Sequence, residues 1–577
     1  MRQPFAELIR PRTWKPGALA LLLSAWLALA GNLPFWRVVW TLPELSGWRG
    51  VVFSLGLALW IGAALMLLLS LLAWPRLFKP VAALLLVTAA VSSYFMLQYS
   101  VVIDTGMMAN VVNTDTLEVH GLLAWPLLPG VVVLAGIPLL WLFPQRILRR
   151  TFWNQAWRNG VSALVSMLVL VLVTLVAYQD LASLMRNHKQ VRYLINPLNV
   201  LYASGKLAAD QLPRTRQELQ PIGLDARLGP TYTGQKRIPL VVLVVGETAR
   251  AANFSLGGYT RQTNPQLEQI MNSAGPLPKA NPELRSAAEA ALKSAGSLTY
   301  YSAVVSCGTS TQASLPCMFS HLGKQGYEAS QQPYENLLDV LQRSGLAVLW
   351  VDNQAGCKGL CERVNQVLTR TLEVPGLCQD GECFDEVMLL DLDARIAALD
   401  PAQRSRGVVV VMHQMGSHGP AYYRRSPSAY KKFMPECASN VLRDCPREQV
   451  VNAYDNTLLY TDNMLASTVR WLDQRGREGN VDTAMVYVSD HGESLGENNL
   501  YLHGLPYALA PDTQTRVPML SWLSGAMQQR IGVRVDCLRD NAATPLSHDN
   551  LFHAMLGLLD VQTSLYKKDL DWFARCR

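Results

Sequence analysis

Five apolar stretches, each long enough to cross a bilayer, crowd the first 180 residues, and no cysteine occurs before Cys307. The stretches centre on Leu21–Leu33, Val51–Trp74, Val81–Val101, Leu122–Leu142 and Val161–Tyr178. A crossing helix needs roughly 20 mainly apolar residues, so five transmembrane helices are expected over residues 1–180. The first stretch follows a basic start (Arg2, Arg10, Arg12, Lys15) as a signal peptide would. No small-residue cleavage site follows it, which favours a retained helix. Lys and Arg mark the N-terminal tail, the loop at Arg76 and Lys79, and the loop from Arg146 to Arg158. The loop from Asp104 to Glu118 has neither. By the positive-inside rule the N-terminus lies inside and the C-terminal half outside the cytoplasm.

The cysteines point the same way. All ten (Cys307, Cys317, Cys357, Cys361, Cys378, Cys383, Cys437, Cys445, Cys537 and Cys576) fall in the C-terminal part, mostly in close pairs. That pattern suits disulfides formed in an oxidising compartment, and nearest-neighbour pairing is the simplest arrangement. No CxxC pair occurs, which argues against a structural metal-thiolate site. At 577 residues the chain exceeds one compact domain. Its net charge of +7 is explained by basic residues flanking apolar segments, and implies no nucleic-acid partner.

After the fifth stretch, residues 181–207 mix apolar residues with Arg186, Lys189 and Arg192, as a helix on a membrane surface would. Residues 208–236 read as a linker broken by Pro213, Pro221, Gly223, Gly229 and Pro230. Residues 237–577 then alternate apolar runs with helical patterns. The runs are Ile238–Val245, Leu346–Val351, Val408–Met412, Met485–Val488 and Val517–Trp522. Uninterrupted β-branched runs suit strands buried on both faces, hence a mostly parallel sheet sandwiched by helices.

The residues that follow these runs carry the chemistry. Glu247 follows the first, Asp352 the second, His413 and His418 the third, and Asp490-His491 the fourth. Open parallel sheets gather ligand sites at the carboxyl ends of their strands. Glu247, Asp490 and His491 supply two hard oxygens and an imidazole, a set suited to zinc with a position left open. His418 and His503 are candidates for a second metal or for holding a phosphate. The loop Ser306-Cys307-Gly308-Thr309-Ser310-Thr311 offers hydroxyl nucleophiles that a metal would activate. Spacing alone leaves Thr309, Ser310 and Thr311 all open.

Five segments in order, Val244–Arg250, Ser306–Thr311, Met415–Pro420, Ser489–Asn498 and Tyr501–Gly504, resemble the lipid A phosphoethanolamine transferases, a group that includes the mobile colistin-resistance enzymes. The resemblance runs nearly end to end and implies an alkaline phosphatase-like periplasmic domain behind five membrane helices. It implies Thr311 as the nucleophile, with Glu247, Asp490 and His491 completing a zinc site. His418 and His503 match residues that bind a second zinc or the phosphoryl group, and His413 lies near the site. Lys358 matches a lysine beside the substrate phosphate. Asn110, Thr114 and Glu118 match residues contacting the ethanolamine head, and a loop free of Lys and Arg suits an ammonium group. Two departures stand out. Residues 275–298 look like an inserted helical excursion, and Gln354 replaces an asparagine of some relatives.

The resemblance further implies a membrane-anchored monomer in a Gram-negative inner membrane. Phosphatidylethanolamine is the implied donor and lipid A the implied acceptor, with one tightly held zinc and room for a second. Competing readings are transfer to a core sugar or another periplasmic glycan, a phosphoglycerol transferase or phosphatase of the same superfamily, and a non-catalytic envelope protein.

Overall fold

The computed structural model describes residues 11–42, 45, 47–114, 119, 122, 125–214, 218–234, 236–273 and 296–577. The chain divides into two compact units. One comprises the chain up to Val112 with Leu123–Asp210, the other Asn113–Leu122 with Gln211–Arg577.

Among the described residues of the first unit, four helices are long and apolar enough to span a membrane: Pro16–Val39, Gly47–Leu72, Phe78–Tyr99 and Phe152–Val176. This corrects the expectation of five. The fourth predicted stretch yields the shorter helix Leu127–Leu142, about 24 Å long at 1.5 Å per residue against a hydrocarbon core of about 30 Å. Its start carries Pro126 and Pro129, and its middle widens into a π-helical segment, Val132–Gly136. Leu164, Leu168, Leu172 and Leu175 are exposed on the last long helix, as lipid contact demands. Inside the unit, the Asn32 side chain donates to Asn196 O at 2.7 Å and accepts from Asn196 N at 2.8 Å, so it satisfies both backbone groups of Asn196. The expected surface helix is two helices, Tyr178–Asn187 and Leu198–Arg214, separated by a 3-10 segment and Pro197.

The second unit is built on a seven-stranded sheet. In chain order its strands are β1 (Ile238–Gly246), β2 (Ser297–Tyr301), β3 (Ala347–Asp352), β4 (Asn365–Leu368), β5 (Val408–His413), β6 (Val481–Ser489) and β7 (Met519–Leu523). Their order across the sheet is β2-β7-β6-β1-β5-β3-β4. The sheet is mixed, not purely parallel, because β7 runs antiparallel to both β6 and β2. Val241–Val245 of β1 and Val409–Met412 of β5 are wholly buried. Each valine removed from water there stabilises the fold by roughly 1.5–3 kcal/mol.

Register decides which residues meet. Gly246 pairs with Ser489, so the next residues, Glu247 and Asp490, leave the sheet side by side. Gly246 is needed at that point, since a Cβ there would come within 2.7 Å of the Tyr487 ring. The 32-residue helix Arg447–Glu478 covers one face and latches the loop after β1. Its Tyr454 hydroxyl donates to Thr248 O at 2.8 Å and accepts from Arg250 N at 2.9 Å. Five disulfides join Cys307–Cys317, Cys357–Cys361, Cys378–Cys383, Cys437–Cys445 and Cys537–Cys576.

Candidate active site and metal centre

Glu247, Asp490 and His491 are fully buried, and one ligand atom from each lies within 4.8 Å of the others. His491 Nε2 is 3.4 Å from Glu247 Oε1 and 3.4 Å from Asp490 Oδ2. Its Nδ1–H donates to Gly492 O at 2.9 Å, which fixes the tautomer and turns Nε2 toward the carboxylates. Asp490 Oδ1 accepts from Thr248 N at 3.1 Å and His491 N at 2.7 Å. Its Oδ2 is buried with no hydrogen-bond partner among the described residues. An orphaned carboxylate oxygen facing a second carboxylate and an imidazole fits a divalent metal.

Electrostatics agree. Burial and then the charge of Glu247 push the Asp490 carboxyl up. Burial opposes charge on His491, yet Asp490 and Glu247 push its imidazole well up. Burial also works to raise Glu247, but the His491 hydrogen bond and charge hold it well below the usual carboxylate range. The cluster thus demands positive charge, which a proton or a metal cation supplies.

Thr311 completes the group. It is the first residue of the helix Thr311–Met318, after an extended Ser310. Its Oγ1 donates to Glu247 Oε2 at 3.0 Å and lies 3.4 Å from His491 Nε2. Thr309, by contrast, spends its hydroxyl on Leu505 O at 2.6 Å. The loop is held in place by His548, which sequence reasoning missed. His548 Nδ1 accepts from Cys307 N at 3.0 Å, and its Nε2–H donates to Ser489 O at 2.9 Å. Ser314, one turn beyond Thr311, lies 3.2 Å from the same Nδ1 and donates to Asp490 O. One buried imidazole therefore ties the threonine loop to the end of β6.

The other histidines form an outer tier. The His503 ring sits 4.2 Å from that of His491 and 6.0 Å from that of His418, centroid to centroid. His503 Nδ1–H donates to Glu493 Oε2 at 2.8 Å, and Tyr422 donates to the same buried carboxylate. His413 ends β5 with its Nδ1 3.3 Å from Asp352 Oδ2. Burial disfavours its charge, but Asp352, Glu247 and Asp490 together raise its pKa. The loop beyond β5 is pressed against the site: Gly416, at φ +52°, has no room for a Cβ, which would lie 2.7 Å from Glu247 O. Asp385 secures that loop by accepting from Met415 N at 2.8 Å and Gly416 N at 3.0 Å.

Lys358 is half-buried in the turn closed by Cys357–Cys361, at φ +50°. Gln354 turns its Oε1 back onto Ala355 N at 2.7 Å. Asn110 lies on the helix Thr105–Asn113 and Thr114 follows it. Glu118 and most of the expected excursion at 275–298 lie outside the described residues.

A mixed α/β sheet with carboxylates, histidines and a threonine at its strand ends places the catalytic unit in the alkaline phosphatase/sulfatase superfamily, and a family model described as Sulfatase matches residues 239–561. A second, described as Phosphoethanolamine transferase EptA/EptB, matches residues 61–212. The chain is 38% identical over 574 residues to phosphoethanolamine transferase EptA of Escherichia coli (strain K12), covering 97% of this chain and 98% of that one. It is 34% identical to phosphatidylethanolamine transferase Mcr-1 of Escherichia coli, covering 98% of each. The solved integral membrane protein lipooligosaccharide phosphoethanolamine transferase A of Neisseria meningitidis superposes with a TM-score of 0.89 at 33% identity, over 98% of this chain and 100% of that one. The chain belongs to the phosphoethanolamine transferase family.

Proposed function

We propose that the chain moves phosphoethanolamine from phosphatidylethanolamine to a lipid A phosphate through a phosphothreonine at Thr311. The observation that carries this reading is the Thr311 hydroxyl, 3.0 Å from one metal-type ligand and 3.4 Å from another. In the first half-reaction Thr311 Oγ1 forms a bond to phosphorus, the bond from phosphorus to the glyceride oxygen breaks, and diacylglycerol leaves with a proton. In the second, a phosphate oxygen of the acceptor attacks the same phosphorus and frees the threonine. Glu247, Asp490, His491 and Thr311 would hold a zinc ion, which would supply a Lewis acid that lowers the hydroxyl pKa and offsets phosphoryl charge.

The chain's own groups do the rest. Glu247 accepts the threonine hydroxyl hydrogen bond and orients the nucleophile. His503, steadied by Glu493, and His418 face the phosphoryl oxygens or a second zinc, and are suited to carry the leaving-group and acceptor protons. His413 adds charge complementarity behind them, and Lys358 a cation for the substrate phosphate. Asn110, Thr114 and Glu118 contact the ethanolamine head. Membrane helices keep the catalytic unit, as a monomer on the periplasmic side of a Gram-negative inner membrane, beside its lipid donor. An ammonium added to an anionic envelope lowers its attraction for cationic polymyxins.

Expression of wild type and Thr311→Ala in a Gram-negative host without such enzymes tests this through lipid A mass spectra. A phosphoethanolamine increment with wild type alone supports the reading. None with well-expressed wild type sinks the lipid A acceptor. A second reading places the same chemistry on a core sugar, since a protein described as Kdo(2)-lipid A phosphoethanolamine 7''-transferase of Salmonella typhimurium is 27% identical. An increment on core oligosaccharide would favour it.

A further inference from the structure

Behind the loop that follows β5 lies a separate cavity of about 500 Å³. Met415 and Gly416 form part of its wall, so one thickness of backbone divides it from Glu247. Another wall is the small hairpin Cys378–Gln379 and Glu382–Cys383, closed by its own disulfide. The segment from Tyr423 to Lys431 supplies the remainder. Asp385, which lines the cavity, also fixes the Met415 and Gly416 amides, so this wall is rigid.

The charged groups around this cavity are all engaged: the Asp385 carboxylate accepts from Asn353 Nδ2, Met415 N and Gly416 N, and the three cations are paired. Arg424 pairs with Asp380 at 2.9 Å, Arg425 with Glu382 at 2.7 Å, and Lys431 with Glu436. A free phosphate or ammonium finds no uncompensated partner there. Paired guanidinium and carboxylate groups instead present donors and acceptors side by side, and a hydroxyl, which both donates and accepts, uses both. Tyr423 adds an aromatic ring to the lining. Ser426, also in the lining, is 2% exposed and its Oγ has no hydrogen-bond partner among the described residues. A buried hydroxyl left unpaired is costly, and a ligand hydroxyl would relieve that cost. The volume falls within the range of small-ligand sites. Arg425 also donates Nε–H to His418 O at 3.0 Å, which ties the cavity wall to the histidine segment.

We propose that this cavity is a saccharide subsite, which holds one sugar ring of the glycan acceptor while another part of the same acceptor reaches the site around the Met415–Gly416 wall. Its use for an acceptor rests on the transferase reading above; its capacity to bind a sugar does not. Ser428 and Gln379 line it from exposed positions on two sides, and a tryptophan at either fills it without touching the core.

The full-length protein in detergent is probed with methyl α-D-glucopyranoside, a neutral sugar, by saturation-transfer NMR, alongside Ser428→Trp and Gln379→Trp. Wild type is expected to give a saturation signal that both variants lose. Diacylglycerol release without acceptor should be unchanged in both, while the acceptor KM rises about tenfold at constant kcat, as loss of uniform binding requires. A sugar signal absent from wild type, or undiminished in both variants, overturns the subsite. So does a wild type that binds inorganic phosphate there in preference to the sugar. Sugar binding that the variants abolish, in a protein that transfers no phosphoethanolamine, keeps the subsite and removes the transferase reading.

Discussion

Thr311 Oγ1 and Glu247 Oε2 share a 3.0 Å hydrogen bond between the start of a helix and the end of β1, two segments 64 residues apart. Thr311→Ala should cut diacylglycerol release by at least about a thousandfold, the scale seen when a nucleophile is deleted. Thr311→Ser keeps a hydroxyl and should retain measurable turnover. Thermal unfolding near the wild-type midpoint for both would show that chemistry, not folding, was lost. Full activity in Thr311→Ala would falsify the nucleophile assignment.

Asp490 carries the orphaned oxygen. Asp490→Asn removes its anionic charge and should abolish metal retention, read as bound zinc per chain by elemental mass spectrometry. Ligand linkage predicts that zinc at 100 times its Kd stabilises wild type by about 2.7 kcal/mol. The variant should show no zinc-dependent rise in Tm. Equal zinc content in the two proteins would refute the three-ligand centre.

His548 offers a test by pH. Burial drives its imidazole down to about 3, whereas an unfolded histidine titrates near 6.5. Between those values the unfolded chain binds the additional proton. The stability contributed by neutral His548 is therefore complete above about pH 6.5 and declines as pH falls. His548→Gln lacks this titration. Wild type should exceed the variant by about 1–3 kcal/mol at pH 7.5, the cost of unsatisfied buried groups, and the margin should shrink by pH 4.5. Because His548 positions the threonine loop, kcat should fall while KM for the donor stays near wild type. A margin that widens in acid would overturn this account.

The disulfides differ in the length of chain they close. Cys537–Cys576 spans 39 residues and Cys357–Cys361 only 4. Loop-closure entropy predicts losses of about 4 and about 2 kcal/mol on their removal. Paired serine substitutions, compared by denaturant unfolding, should rank in that order. The reverse ranking would show that local geometry outweighs the entropy of the open chain.

Much of the site was legible because several of its parts follow uninterrupted apolar runs. Val241–Val245 and Val408–Val411 announce buried strands, and Glu247, His413 and Asp490-His491 stand directly after such runs. Thr311 was separable from Thr309 only by resemblance; in three dimensions Thr309 is committed to Leu505 O. β2 and β4 went unseen, one because Ser297 and Thr299 dilute its apolar run, the other because Asn365–Leu368 is a four-residue, exposed edge strand. Strand direction is not written in composition, so the reversal of β7 was invisible. His548 and Glu493 act on other site residues rather than standing at strand ends, and a lone histidine far along the chain carries no pattern. The fourth stretch was counted as a span because hydropathy does not register what Pro126 and Pro129 do to a helix.

The reversal of β7 sorts the sheet into parts of unequal tolerance. From β6 to β3 the strands are parallel, so every carboxyl end falls on the catalytic rim. β2, beyond β7, points the same way as β6 and delivers the threonine loop from its far end. The start of β2 at Ser297 therefore lies at the margin of the sheet opposite the chemistry. Extra sequence can accumulate there over generations without shifting a ligand, and a reporter domain could be spliced in by design at the same place.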